Sequence, residues 1–219
     1  MSEIYVVGLK EKTNIQSIFV NEIIFKDFFI NLDDFSNIIF TSKNAIKSCI
    51  QNNLNLKNKK IFCIGEKTAE YLKKINLEAF YTGKTAHAKD FKNEILQLLK
   101  YEKCIYFRAK EIISDLDDFL IKNNIDLTSV IAYENIRLKT PLDNNFIPFN
   151  KKLKNDDILI FLAPSGVRDF LYHFKFIPTN IISIGKSTQN ELKKNNINSI
   201  TPNYPSLENC LNLAYSLKS

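Results

Sequence analysis

The stretch from residue 40 to residue 80 is written again, in outline, about 120 positions later. Phe40-Thr41-Ser42-Lys43-Asn44-Ala45-Ile46 is answered by Phe161-Leu162-Ala163-Pro164-Ser165-Gly166-Val167. Ile64-Gly65-Glu66-Lys67-Thr68, with Leu72-Lys73-Lys74 behind it, is answered by Ile184-Gly185-Lys186-Ser187-Thr188 and Leu192-Lys193-Lys194. Each copy is an apolar run that ends in small or hydroxyl residues and opens a helical pattern. A chain carrying two such copies is constrained to build two similar halves. The junction itself leaves unpaired backbone N–H groups at a positive helix end, which is a site for an anion. Two like halves facing one shared anionic ligand are therefore expected.

Short β-branched or aromatic runs alternate with helical periodicity along the whole chain. Strands are predicted at Ile4–Val7, Ile23–Phe25, Ile38–Thr41, Ile61–Ile64, Ile105–Phe107, Val130–Tyr133, Ile158–Leu162, Ile181–Ile184 and Ile200–Thr201. Helices are predicted at Lys43–Gln51, Lys67–Lys74, Ala88–Leu99, Ile112–Asn123, Val167–Phe174, Ser187–Asn195 and Leu207–Leu217. This alternation implies βαβ units and parallel sheets, whose right-handed crossovers bring the strand-to-helix loops to one edge of each sheet. The predicted fold class is α/β, with two similar parallel-sheet domains, a double hinge and a cleft between them. Residues 1–32 carry too little apolar surface to stand alone, and the polar stretch Asn31-Leu32-Asp33-Asp34 offers a crossing point. Glu134–Thr140, ahead of the Pro141–Lys154 loop, offers the other. The expected division is 1–32 plus 138–219 as one discontinuous domain and 33–137, hinge segments included, as the second. A contiguous split near residue 140 is the weaker rival.

Only five glycines occur in 219 residues, well below the roughly 7% usual in proteins. Three of them, Gly65, Gly166 and Gly185, sit at the repeated junctions, which points to a backbone need, a tight turn or a close ligand approach. Ser42, Thr68, Ser165, Ser187 and Thr188 lie at or near the helix starts that follow. As helix caps each would contribute about 1 kcal/mol and need no further role. That all five gather on the same sheet edges favours contacts to carboxylates or phosphates instead, with Lys67 and Lys186 beside them. Tyr106-Phe107-Arg108-Ala109-Lys110 is another strand end, and Arg108 and Lys110 stand where ligands collect in open α/β sheets. No GxGxxG or GxxxxGK[ST] fingerprint is present.

The net charge of +6 favours an anionic partner. No run interleaves basic and aromatic residues as a nucleic-acid binder would, so nucleic acid is disfavoured and a small polyanion is expected. Cys49, Cys63, Cys104 and Cys210 are widely spaced in apolar contexts and read as buried free thiols. With only His87 and His173 besides, a metal cluster has little to build on. No apolar run reaches the roughly 18 residues that span a bilayer, and the first residues lack a secretion signal. A cytoplasmic protein, most simply a monomer, is expected.

The motifs Phe40-Thr41-Ser42, Ile64-Gly65-Glu66-Lys67-Thr68-Ala69, Val130-Ile131-Ala132-Tyr133, Ala163-Pro164-Ser165-Gly166-Val167, Ile184-Gly185-Lys186-Ser187-Thr188 and Pro205-Ser206-Leu207 stand in an order and spacing that resemble the uroporphyrinogen-III synthase family over nearly the whole chain. Departures are local: Val7-Gly8-Leu9 where many members carry an Arg, Lys43 where Pro is frequent, Ala163 where Ser is common, and Arg108-Ala109-Lys110 without the usual Gly. The resemblance implies two α/β domains, one of them discontinuous, joined by a two-stranded linker with the active site in the cleft. It implies that the substrate is hydroxymethylbilane, a linear tetrapyrrole with eight carboxylates, used without metal or cofactor and with a transient hand-over from hydroxymethylbilane synthase. The reaction would be loss of the ring A hydroxyl, attack by the substituted carbon of ring D, and reclosure of a spiro intermediate with ring D inverted. Tyr133 matches the tyrosine that helps the hydroxyl leave as a proton donor. Substrate contacts are expected from Thr41, Ser42, Gly65, Lys67, Thr68, Arg108, Lys110, Ser165, Gly166, Gly185, Lys186, Ser187 and Thr188. The rival is a non-catalytic two-domain protein that binds a small anion.

Overall fold

Runs of four to six apolar residues flanked by hydroxyl or glycine turns make short strands buried on both faces, the pattern of a parallel sheet covered by helices. The computed structural model of the chain describes residues 2–112 and 114–218. The chain divides into two units, residues 24–135 and residues 1–23 with 136–219.

In the unit of residues 24–135 the strands are β3 (Asn37–Phe40), β4 (Lys60–Cys63), β5 (Tyr81–Thr82), β6 (Cys104–Ala109) and the first part of β7 (Leu127–Leu142). They lie parallel in the order β5-β4-β3-β6-β7. The order reverses between β3 and β6, the switch point at whose carboxyl ends open α/β sheets bind ligands. Helices α1 (Lys43–Gln51) and α2 (Glu66–Lys73) cover one face through Ile38, Phe40, Ile46, Cys49, Ile61, Leu72, Ile105 and Phe107. Helices α3 (Ala88–Ile95) and α4 (Leu116–Lys122) cover the other through Ile39, Phe62, Phe91, Ile95, Tyr106 and Leu120. Consecutive strand residues thus alternate between the two cores, as a pleated sheet requires.

The other unit has the parallel order β2-β1-β8-β9, from β1 (Ile4–Leu9), β2 (Ser17–Phe25), β8 (Ile158–Phe161) and β9 (Asn180–Ser183). Its switch point lies between β1 and β8. Helices α5 (Pro164–His173) and α6 (Lys186–Lys194) have Val167, Phe170 and Leu192 in one core with Tyr5, Val7, Leu159 and Phe161. Helix α7 (Leu207–Leu217) has Cys210 and Ala214 in the other with Val6, Ile158, Ile160 and Ile182.

The written repeat is therefore a folded one: β3-α1-β4-α2 corresponds to β8-α5-β9-α6. The match extends to the helix ends. In a chain so poor in glycine, Asn76 and Asn196 take the left-handed position after α2 and α6, at φ 58° each. Leu77 N–H then reaches back to the Leu72 carbonyl at 3.0 Å, and Ile197 N–H to that of Leu192 at 3.1 Å, closing the same C-cap twice. The match also extends to β6-β7 and β1-β2, whose pairings slip at the same place, between Arg108 and Ala109 and between Gly8 and Leu9.

Several elements differ from the sequence reading. The first crossing between units lies after Ile23 rather than near residue 32. Strand β2 runs on to Phe25, Lys26 N–H donates to the Ala132 carbonyl at 2.9 Å, and Phe28, Ile30 and Leu32 pack into the core of residues 24–135. The second crossing, after Asn135, falls within the Glu134–Thr140 stretch, but it lies inside β7, whose 16 residues extend well past the predicted Val130–Tyr133. The two-residue strand β5 was too short to show a pattern. Ile200 makes only an isolated parallel bridge to Ile182. The predicted helix Ile112–Asn123 shrinks to Leu116–Lys122; Ile113 lies outside the described residues.

Candidate active site

In the unit of residues 24–135 the site is set by a bulge. Arg108 faces Ile131, but Ala109 faces Tyr133, so β7 advances by two residues where β6 advances by one. The extra residue is Ala132. A bulge of this kind re-aims the side chain that follows it. Here Tyr133 packs against the same core as Val130 and Ala132, and the Ser42 hydroxyl is the polar side-chain group beside its phenol. The Ala132 carbonyl, turned out of the ladder, accepts from the Ser48 hydroxyl at 2.6 Å and from Lys26 N–H. Burial raises the Tyr133 phenol above its ordinary pKa, and the neighbouring Ser42 hydroxyl opposes that only in part.

Ser42 has a second duty. Its side-chain oxygen accepts from Asn44 N–H at 3.1 Å and caps α1. One residue earlier, Thr41 bonds the hydroxyl of Tyr106 at 3.0 Å, across the switch point from β3 to β6. Tyr106 is 1% exposed; burial pushes its phenol up to about 12 against the opposing Thr41 bond. Two neutral phenols and two hydroxyls thus meet at this sheet edge. Sequence reasoning missed Tyr106 because its position alternates into the α3–α4 core and reads as packing. It missed Ser48 because a hydroxyl inside a helix carries no motif.

The helix starts differ from the cap reading. Among the five hydroxyl residues only Ser42 caps; Gly65, Ala163 and Gly185 are the caps of α2, α5 and α6, with no side-chain bond to the helix. Thr68, Ser165, Ser187 and Thr188 lie within the first turn. The expected backbone role of glycine also takes another form. Gly65 and Gly185 have extended φ values of −175° and −172°, open to any residue. A Cβ at Gly65 would come 2.5 Å from the Ala86 Cβ, so packing excludes one there. At Gly185 the nearest atom would be Pro205 Cβ at 3.8 Å, an ordinary contact. Sterics leave Gly185 unexplained, and its bare helix start exposed.

Arg108 and Lys110 are already engaged. Arg108 Nε lies 3.3 Å from the Asp117 carboxylate, and its Nη1 donates to the carbonyls of Ala109 and Lys110. Lys110 pairs at 2.7 Å with Glu134, which also holds Lys26. Lys67 and Thr68 instead line a groove of about 630 Å³ with Thr41 and Ser42.

In the other unit the equivalent bulge sets Leu9 opposite Asn21, so Asn21 takes the place that Tyr133 has in the repeat. Its buried amide donates to Asp169 on α5 at 2.8 Å, and Asp169 accepts from Arg137 Nε at 2.8 Å. Gly166 packs onto the end of β1, where a Cβ would stand 3.4 Å from the Val7 carbonyl and 3.5 Å from the Gly8 Cα. Ser165 is half-buried, Lys186 and Ser187 are exposed, and Thr188 is 1% exposed with no partner for its hydroxyl. No group of three or more His, Cys, Asp or Glu among the described residues could hold a metal, and no helix there is long and apolar enough to cross a membrane.

A family model described as uroporphyrinogen-III synthase HemD matches residues 15–212. The chain belongs to the uroporphyrinogen-III synthase family. It is similar to a uroporphyrinogen-III synthetase from Helicobacter pylori, with 32% identity, a TM-score of 0.75, and 99% of this chain and 100% of the other covered. A mutant uroporphyrinogen III synthase from the extremely thermophilic bacterium Thermus thermophilus shares 12% identity at a TM-score of 0.61, covering 100% and 98% of the two chains, and supports the fold alone. A search of curated proteins returned no match. As a uroporphyrinogen-III synthase the chain is a cyclising lyase of tetrapyrrole biosynthesis, turning hydroxymethylbilane into uroporphyrinogen III with ring D inverted, through a spiro intermediate and with loss of water. The reading as a mere anion binder is not favoured.

Proposed function

We propose that the edge formed by Tyr133, Ser42, Thr41 and Tyr106 is where the hydroxyl of hydroxymethylbilane departs. The observation that carries this is the bulge that turns Tyr133 onto the α1 cap, where its hydroxyl meets Ser42. Tyr133 gives its proton to the leaving hydroxyl as the electron-rich pyrrole pushes that group out as water, and the cation so formed returns a proton from its pyrrole nitrogen to Tyr133, leaving the neutral azafulvene. Ring D then attacks the carbon left behind. Burial keeps Tyr133 protonated until the proton transfer, so the proton is in place when the hydroxyl departs. Thr41 and Tyr106 hold one another and fix the β3 end on which Ser42 sits.

Binding follows from charge. The bare starts of α2 at Gly65 and of α6 at Gly185, with Lys67, Thr68, Lys186, Ser187 and Thr188 in their first turns, take carboxylates through backbone N–H groups and the dipole. Ser165 and Gly166 do the same at α5. Arg108 and Lys110 act in support, since each contact to substrate would compete with Asp117 or Glu134. Selectivity then comes from holding the chain folded: a tenfold bias between closures needs about 1.4 kcal/mol. The linear substrate closes unaided to the uninverted isomer, which favours direct hand-over from hydroxymethylbilane synthase to a monomer in a reducing cytoplasm. The four buried, unpaired cysteines fit such a compartment.

Tyr133→Phe tests the site. We expect kcat to fall roughly 10- to 100-fold, toward the low end of what a positioned proton donor contributes, with KM nearly unchanged. Turnover equal to that of the unaltered enzyme would remove Tyr133 from the chemistry.

A further inference from the structure

The groove that holds Thr41, Ser42, Lys67 and Thr68 does not stop at the strand edge. It continues between α1 and α2, where Lys43, Lys47, Glu70, Tyr71 and Lys74 complete its lining. Four lysines face a single glutamate. Several lysines elsewhere in this unit are neutralised: Lys26, Lys60, Lys73, Lys92 and Lys110 each pair with a carboxylate. Among the described residues, Lys47, Lys67 and Lys74 pair with none, and the partner of Lys47 is the Tyr71 ring, 5.8 Å from its Nζ to the centroid. The first turn of each helix, at Lys43 and Lys67, lies at one end of the groove and adds positive potential there. Solvated lysines usually scatter; three without carboxylate partners on one concave surface that opens onto Ser42, the neighbour of Tyr133, call for an anion.

We propose that this α1–α2 groove is a carboxylate-binding extension of the active site, in which Lys47, Lys67 and Lys74 hold carboxylate arms of the linear tetrapyrrole while its reacting end lies at Tyr133. The inference rests on the cyclisation reading and adds Lys47, Tyr71 and Lys74 to the site. The width and positive charge of the groove suit the side arms of a pyrrole ring away from the leaving hydroxyl. Its lysines act by fixing that ring, so that remote binding orients the reacting end. The Tyr71 ring, 5.8 Å from the Lys47 ammonium, holds that cation in the groove.

The test is the pair of variants Lys47→Gln/Lys74→Gln and Lys47→Arg/Lys74→Arg, assayed with isolated hydroxymethylbilane over a range of NaCl. We expect the glutamine pair to raise KM about tenfold, the effect of losing two partly screened ion pairs, with a smaller change in kcat. Its kcat/KM should also fall less steeply with salt than that of the unaltered enzyme. The arginine pair, which keeps the charge, should restore both. Direct binding of uroporphyrin, an octacarboxylate, followed by fluorescence quenching, should weaken in the glutamine pair alone. An unchanged KM and salt slope would overturn the proposal. So would a defect seen only when hydroxymethylbilane synthase supplies the substrate, which would mark the groove as a protein-docking surface. Failure of the cyclisation reading is distinct, because the unaltered enzyme would then form no type III product.

Discussion

The role proposed for Tyr133 depends on a phenol that is hard to ionise. Burial holds its phenol above the ordinary value, so the protonated form that can donate to a leaving hydroxyl persists to higher pH than in water. A raised pKa puts the loss on the alkaline side: activity that depends on the phenol is present at low and neutral pH and declines only as pH rises through the raised value. Between about pH 6 and 9 we therefore expect kcat to show no inflection from Tyr133, and the Tyr133→Phe profile should run parallel to the original. An inflection near neutrality that disappears in the variant would contradict this. Gly185 makes a second residue-scale test. Neither its φ nor its surroundings demand glycine, so Gly185→Ser should fold and add the missing cap, stabilising α6 by about 0.5–1 kcal/mol. The new hydroxyl would occupy the N–H groups that we assign to substrate, and KM should rise several-fold while the melting temperature holds or increases. Gly65→Ser offers no such separation, since its Cβ would meet Ala86.

At the scale of elements, the bulge in β7 is the device that turns Tyr133 toward the edge we propose as the site. Ser48 secures it by donating to the Ala132 carbonyl. Ser48→Ala should leave that carbonyl to Lys26 alone, loosen the aim of Tyr133 and lower kcat roughly tenfold, at a stability cost of only about 1 kcal/mol. Equal kcat would show that the bulge holds without it. Bulges explain why part of the site could not be read in advance. Period-two alternation places Val130 and Ala132 on one face, and Tyr133 on the other; only the inserted residue returns Tyr133 to the α1 side. The junctions Phe40-Thr41-Ser42 and Ile184-Gly185-Lys186 were legible because a strand that ends in small residues before a helix has one geometry. Their glycines were legible in position but not in cause. Packing against Ala86 fixes Gly65, and only coordinates reveal that neighbour.

For the whole molecule, the repeat in the sequence is a repeat of a four-element unit plus two paired strands, and the copies have diverged where chemistry needs them to. Ser42, Ser48 and Tyr133 in one unit answer to Ala163, Asp169 and Asn21 in the other. The second set is a structural network: Asp169 joins Asn21 and Arg137, and Arg137 lies 4.0 Å over the Tyr172 ring. Asp169→Ala should therefore cost about 2–3 kcal/mol of stability, read by urea unfolding, while leaving the product isomer unchanged. A shift toward the type I isomer would give that network a role in steering. The place of the first crossing was not legible, because β2 passes from one unit to the other without a break in its strand pattern. The most direct test of the account is the isomer ratio. Hydroxymethylbilane, generated from porphobilinogen by the preceding synthase, is given to this protein, and the oxidised products are resolved. We expect type III to dominate, with type I rising in Tyr133→Phe as unaided closure competes. Type I as the sole product of the unaltered protein would contradict the account.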